Sequence, residues 1–241
     1  MSEVEQEVKV KKVVKEPRIS LTMISRYIVA SEKVKLSILK KCKYPSDYIP
    51  KFYEMARKLV CEIFEGNFVD GHELYFEAFK QQARIYRKEA KTYPENKDGY
   101  KNRIYSAKGL DAIVAMSYLL IPILEKHTLE NNLHRRKNKI IKNDVSIGAV
   151  SDMLLLDQSG VKQVGFLKFN FESTKLKREE AEAKLYVLKK FYEQKGSKLD
   201  PKSCILVDVI AWRTYSVADV ADAEIELNKA TLTIKNNWDL I

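Results

Sequence analysis

The chain has 241 residues, 45% of them hydrophobic and 32% charged, a composition that supports a packed core and excludes a largely disordered protein. Lys and Arg number 43 against 33 Asp and Glu, a net charge of +10 that points to a polyanionic partner and away from an acidic substrate. The three cysteines, Cys42, Cys61 and Cys204, are far apart and form no CxxC pair, so a disulfide framework and a zinc knuckle are both excluded and a reduced, cytoplasmic setting is expected.

In chain order, residues 1–17 alternate charges up to Pro17, lack the apolar run of a secretory signal, and read as a flexible arm. From Ile19 to Phe64 apolar residues recur at helical spacing, interrupted by Pro45 and Pro50, which predicts two or three short helices with Ser46 and Asp47 as candidate caps. A further helix is expected from Gly71 to Ala90, with Tyr75, Phe76 and Phe79 packing inward and Arg84, Arg87 and Lys88 in water. The polar stretch TYPENKDGYKNR reads as a loop and sets a boundary between a helical region, 18–100, and an α/β region, 101–241.

Ser106 to His127 predicts one long buried helix kinked at Pro122, and its apolar core falls short of the roughly 20 residues that span a bilayer, so no membrane is expected. The following HRRKNKIIKND is a cluster of cations. Residues 145–156 and 164–171 read as a strand hairpin turned through Asp157 and Gly160. A helix over 178–195, a buried strand in SCILVDVI, a short strand in TYSV and a last helix from Val220 to Trp238 complete the pattern. The fold class expected is mixed α/β (α+β), a helical N-terminal half followed by a small mixed sheet flanked by helices.

Several chemistries are missing from the motifs. No GxxxxGK[ST] loop or GxGxxG turn occurs, and HELYF at His72 carries Phe76 where the zinc-protease pattern needs its second histidine. With three histidines in the chain, His72 is most simply a surface helix residue.

A buried helix, a hairpin with Asp152 in GAVSDML and Lys168 in GFLKF, a helix and a buried strand together resemble the core of the PD-(D/E)XK nuclease superfamily. The resemblance covers about residues 106–210. It implies a restriction-endonuclease-like core that binds DNA or RNA, with an acid and an acid-x-Lys converging on Mg²⁺ and the lysine near the attacking water. Oxygen ligands suit that ion, which activates water and stabilises charge on the phosphate. Phe166 stands where the second acid belongs, and Glu180 in REEAEAKL is the replacement expected from the following helix. The catalytic set implied is therefore Asp152, Lys168 and Glu180, with Asp152 and Glu180 as metal ligands. Each residue also has a plain structural role to fill: a strand-end carboxylate, an edge lysine reaching water and a favourable charge at a helix N-terminus. Asp208, inside ILVDVI, is a further buried acid that a hydrogen-bonded structural role would explain equally.

Arg135, Arg136, Lys137, Lys139 and Lys142, with His134, stand just before the hairpin, where they would hold phosphates without reading bases; a solvated loop is the alternative. The opening ISLTMISRYIVASEK is also similar to the start of uncharacterised bacterial proteins, which implies a bacterial or phage source and no activity. Three readings follow: a nucleic-acid-binding protein with a nuclease-like core open to metal-dependent phosphodiester hydrolysis, a basic structural protein without nucleic-acid function, or a non-catalytic binding or assembly module that has lost its metal site. In the last, the helical half recruits a protein partner.

Overall fold

The computed structural model describes residues 13–46, 52–67, 71–135 and 137–241. In chain order these form β1 (Arg18–Ile19), α1 (Leu21–Val29), α2 (Glu32–Lys43), α3 (Glu54–Phe64), α4 (His72–Ala90), α5 (Asp98–Ala115), α6 (Ser117–Lys126), β2 (Thr128–Asn131), β3 (Lys139–Lys142), β4 (Val145–Gly148), β5 (Met153–Leu156), β6 (Gln163–Asn170), α7 (Arg178–Gln194), a 3-10 turn (Pro201–Ser203), β7 (Cys204–Asp208), β8 (Arg213–Ser216) and α8 (Glu224–Asn237). The chain is a mixed α+β protein. Among the described residues no single helix is long and apolar enough to cross a membrane.

The main sheet has the order β2-β5-β6-β7-β8, and a smaller one has the order β1-β4-β3. In the main sheet β2, β5 and β6 run antiparallel in turn, β6 and β7 are parallel, and α7 makes the crossover between them. The two-residue period of a strand sends alternate side chains to opposite faces, and β5, β6 and β7 use it to build two cores. Leu154, Phe166, Cys204 and Leu206 pack with α1, α7, α8 and the small sheet. Met153, Leu155, Leu167, Phe169, Ile205 and Val207 pack with α3 to α6. The strands are buried on both faces, which explains why they read as apolar runs without alternation.

Local sequence accounts for many of the elements. Ser20 Oγ accepts the Met23 N–H at 3.2 Å and starts α1. On α4, Tyr75, Phe76, Phe79, Ala83, Tyr86 and Ala90 form the buried stripe, with Arg84, Arg87 and Lys88 exposed. The β5–β6 hairpin turns as expected through Asp157, whose carboxylate accepts from the Ser159 hydroxyl, and through Gly160 at φ +72°. Gly165 is required on β6, because a Cβ there would lie 1.9 Å from the Ser203 carbonyl oxygen.

Other expectations need correction. Residues 13–17 are not a loose arm: Val14 is buried and its N–H donates to Lys43 O at 2.9 Å, the Trp238 indole donates to Lys15 O at 3.0 Å, and Ser146 N–H donates to Pro17 O at 2.9 Å. Residues 1–12 and the expected cap Asp47 lie outside the described residues. The step from residue 100 to 101 falls inside α5, which packs along α4, so both sides of the expected boundary share one core.

The long helix expected over 106–127 is two helices bent by 72°, broken at Met116 and not at Pro122. The bend lets Leu110, Ile113 and Met116 on one piece and Leu120 and Ile123 on the other reach the same core. Residues 145–156 are likewise two strands, because β4 pairs in the small sheet and β5 in the large one. The cationic segment contains β3, and β2 is an addition to the expected elements.

Candidate functional site

Asp152 directly precedes β5 and has no exposed surface. Its backbone N–H donates to Leu167 O at 2.9 Å, continuing the β5–β6 ladder and setting its side chain beside that of Lys168 on the neighbouring strand. Lys168 Nζ donates to Asp152 Oδ1 at 3.2 Å, and the Phe169 N–H donates to Oδ2 at 2.6 Å. Arg57, projecting from α3, donates to Oδ1 through Nε at 2.6 Å and also through Nη2. One buried carboxylate is thus held by two cations and an amide.

Arg57, Lys168 and Phe169, the groups that hold Asp152, line a cleft of about 590 Å³ at the carboxyl end of β6. Lys184, from α7, also lines the cleft; it is buried and donates to Asn170 Oδ1 at 2.8 Å. Phe52, Tyr53 and Phe171 make an aromatic wall.

The electrostatics follow from burial and proximity. Burial alone would push the Asp152 carboxyl upward; the charges of Arg57 and Lys168 and the Phe169 amide outweigh it and hold the group below the ordinary carboxylate range. Burial pulls the Lys168 ammonium down to about 8, because the attraction of Asp152 offsets it only in part and Arg57 and Lys184 repel. Burial also lowers Lys184, against the attraction of Glu172 and Glu180. The cleft is therefore lined by four cations, Arg57, Lys58, Lys168 and Lys184, with Glu54 and Glu172 beside them and the buried Asp152 held by Arg57 and Lys168.

Of the expected catalytic set, Asp152 and Lys168 come together. Glu180 is engaged elsewhere, and its carboxylate accepts the Lys177 N–H at 2.9 Å at the start of α7. Among the described residues no hydrogen bond or ion pair joins Glu180 to Asp152 or Lys168. Phe166, at the position of the missing acid, is fully buried and stacks on Tyr192 with ring centroids 5.6 Å apart. Asp208 is structural: it accepts the Leu176 N–H at 2.9 Å and lies 3.6 Å from Arg213.

Among the described residues, no group of three or more His, Cys, Asp or Glu side chains is placed to hold a metal ion. Mg²⁺ requires several oxygen ligands in octahedral array, whereas both Asp152 oxygens already accept from cations or an amide. As arranged, these residues do not fit Mg²⁺, and their chemistry suits an anion.

No family model, curated protein or solved structure matches the chain.

The expected phosphate-binding cations divide. Arg135 pairs with Glu130 at 3.0 Å and Lys142 with Glu224 at 3.4 Å, while Lys137 and Lys139 are exposed. Arg136 lies outside the described residues. Leu133 and Gly148, which flank the described cations in sequence, both line the cleft.

Arg57, Lys184 and Asn170 are functional candidates that sequence reasoning missed. Lys184 had a visible signal, since it sits three residues after Ala181 and four before Leu188, on the apolar stripe of α7. Arg57 had none, because its partner is 95 residues away in sequence.

Proposed function

We propose that the protein binds DNA or RNA through phosphate, on a nuclease-like core whose acid–lysine pair serves as an anion seat. The observation that carries this reading is the closure of buried Asp152 by Arg57 and Lys168, both of which line an open cleft. Arg57 supplies a permanent positive charge against the carboxylate, with five donors of which some remain for a ligand. Lys168 adds a second cation, and the net charge of +10 favours polyanions over the whole surface.

The order of elements supports the core assignment. A helix leads into three antiparallel strands, β2, β5 and β6, followed by α7 and the parallel strand β7, as the resemblance to the PD-(D/E)XK superfamily implies. Metal-dependent hydrolysis is the weaker reading, since its second acid is absent from β6 and Glu180 is spent on a helix cap.

Fluorescence anisotropy over a salt series tests the proposal. Wild-type protein should bind unrelated sequences with similar affinity, and log Kobs should fall linearly with log salt. Replacing Arg135, Arg136 and Lys139 by Ala should weaken binding to every sequence and flatten the slope by roughly 0.7 to 0.9 for each phosphate no longer neutralised. Absence of binding at low salt would refute it.

A further inference from the structure

We infer that the cleft selects single-stranded nucleic acid, seating one phosphate at Lys168 and Lys184 and one base against the wall formed by Phe52, Tyr53 and Phe171. The inference rests on the nucleic-acid reading above and specifies which form of the polymer the site takes.

The phosphate position follows from Lys184. This lysine is 2% exposed, and its hydrogen bond among the described residues goes to the neutral Asn170 amide oxygen. The acids whose fields reach it have other partners: Glu172, which also lines the cleft, bonds Arg26 at 2.6 Å, Glu180 caps α7, and Asp208 accepts the Leu176 N–H. A buried ammonium without a contacting carboxylate is costly, and an anionic ligand relieves that cost. Lys168 lines the same cleft and shares its one carboxylate with Arg57. A phosphate entering here meets Arg57, Lys58, Lys168 and Lys184, four cations set against Glu54, Glu172 and the buried Asp152.

The base position follows from the aromatic wall. Tyr53 and Phe171 stack with centroids 6.0 Å apart and planes 25° from parallel, and Tyr105 braces Phe52 and Tyr53 from behind at 5.2 and 5.4 Å. Tyr53 holds a left-handed backbone at φ +66°, a conformation that costs a non-glycine residue free energy, and it lines the cleft. Fixed rings beside buried cations form the combination that single-strand binders use, stacking for bases and positive charge for the backbone.

The selectivity is energetic. A base reaches the wall only after leaving its stack, which in a duplex costs a few kcal/mol of unpairing and unstacking and in a single strand costs little. A cleft of about 590 Å³ has the capacity of a small-ligand pocket and accepts a nucleotide unit.

The test compares an oligothymidylate of about ten nucleotides, the matching oligouridylate and a blunt duplex of equal length, by anisotropy at low salt. Both single strands should bind at least about tenfold tighter than the duplex. Lys184→Met and Phe52→Ala should each weaken single-strand binding roughly five- to a hundredfold and narrow the difference between single strand and duplex. Melting curves confirm that each variant is folded, and Phe52→Ala, on the rim, stands in should Lys184→Met fail to fold. Equal affinity for single strands and duplex, or folded variants that bind single strands as wild type does, would overturn the inference while leaving nucleic-acid binding intact. Failure of every probe to bind would overturn the functional reading itself.

Discussion

Replacing Arg57 by Leu removes one of the two cations that neutralise Asp152 and keeps much of the aliphatic packing of α3. Asp152 would remain fully buried, retaining the Phe169 amide at 2.6 Å and Lys168 at 3.2 Å. Breaking a buried ion pair from one side costs about 3–5 kcal/mol, because the charge left behind is uncompensated. The lower end applies here for two reasons: Lys168 still pairs, and the Arg57 side chain is 34% exposed, so water already screens part of its attraction. The expected loss is about 3 kcal/mol at neutral pH, or roughly 6 to 12 °C in Tm for a chain of this length. Urea unfolding of wild type and Arg57→Leu measures it. Adding Asp152→Asn to the variant removes the stranded charge and should restore more than half of the loss.

The pH dependence gives a second check. The folded pKa of Asp152 is depressed, so its contribution to stability is present above the unfolded value of about 3.9 and disappears as pH falls through the folded value. The difference between wild type and Arg57→Leu should therefore shrink in acid. A loss below about 0.5 kcal/mol, or one that Asp152→Asn does not relieve, would refute the view that Arg57 is the principal counter-charge.

Two further outcomes are expected. Phe166→Ala, which removes a fully buried ring stacked on Tyr192, should cost roughly 3 to 5 kcal/mol by denaturant unfolding; an unchanged midpoint would contradict its packing. Polyanion binding should weaken as pH rises through about 8, because Lys168 loses its proton there while a bound phosphate favours the charged form. Lys168→Met should flatten that profile when anisotropy is followed from one pH unit below this value to one above, and an identical profile would remove Lys168 from the site. In stability the sign is opposite. The folded state releases this proton before the unfolded chain does, so the cost of burying a charged Lys168 is relieved between about 8 and about 10.4.

The elements whose identity depends on near neighbours were legible in the sequence. Period, turn residues and breakers placed α4, the β5–β6 hairpin, α7 and β7 within a few residues, since a helix stripe or a Gly turn is set by the few residues around it. The meeting of Asp152 with Lys168 was expected from the family resemblance, and the hairpin's register places the two side by side. The tertiary structure decided the rest. The break at Met116 serves packing on a core assembled from distant segments, and the order of five strands requires pairing across the whole C-terminal half. Glu180 could be assigned to a cap or to a metal from sequence, and the helix N-terminus beside it took the carboxylate. Arg57 was invisible because its role exists only where α3 passes the end of β5, 95 residues on in the chain. The sequence thus pointed, through the family resemblance, to the acid and lysine that stand together, and only the fold determined that an arginine, with its permanent charge, closes on that acid.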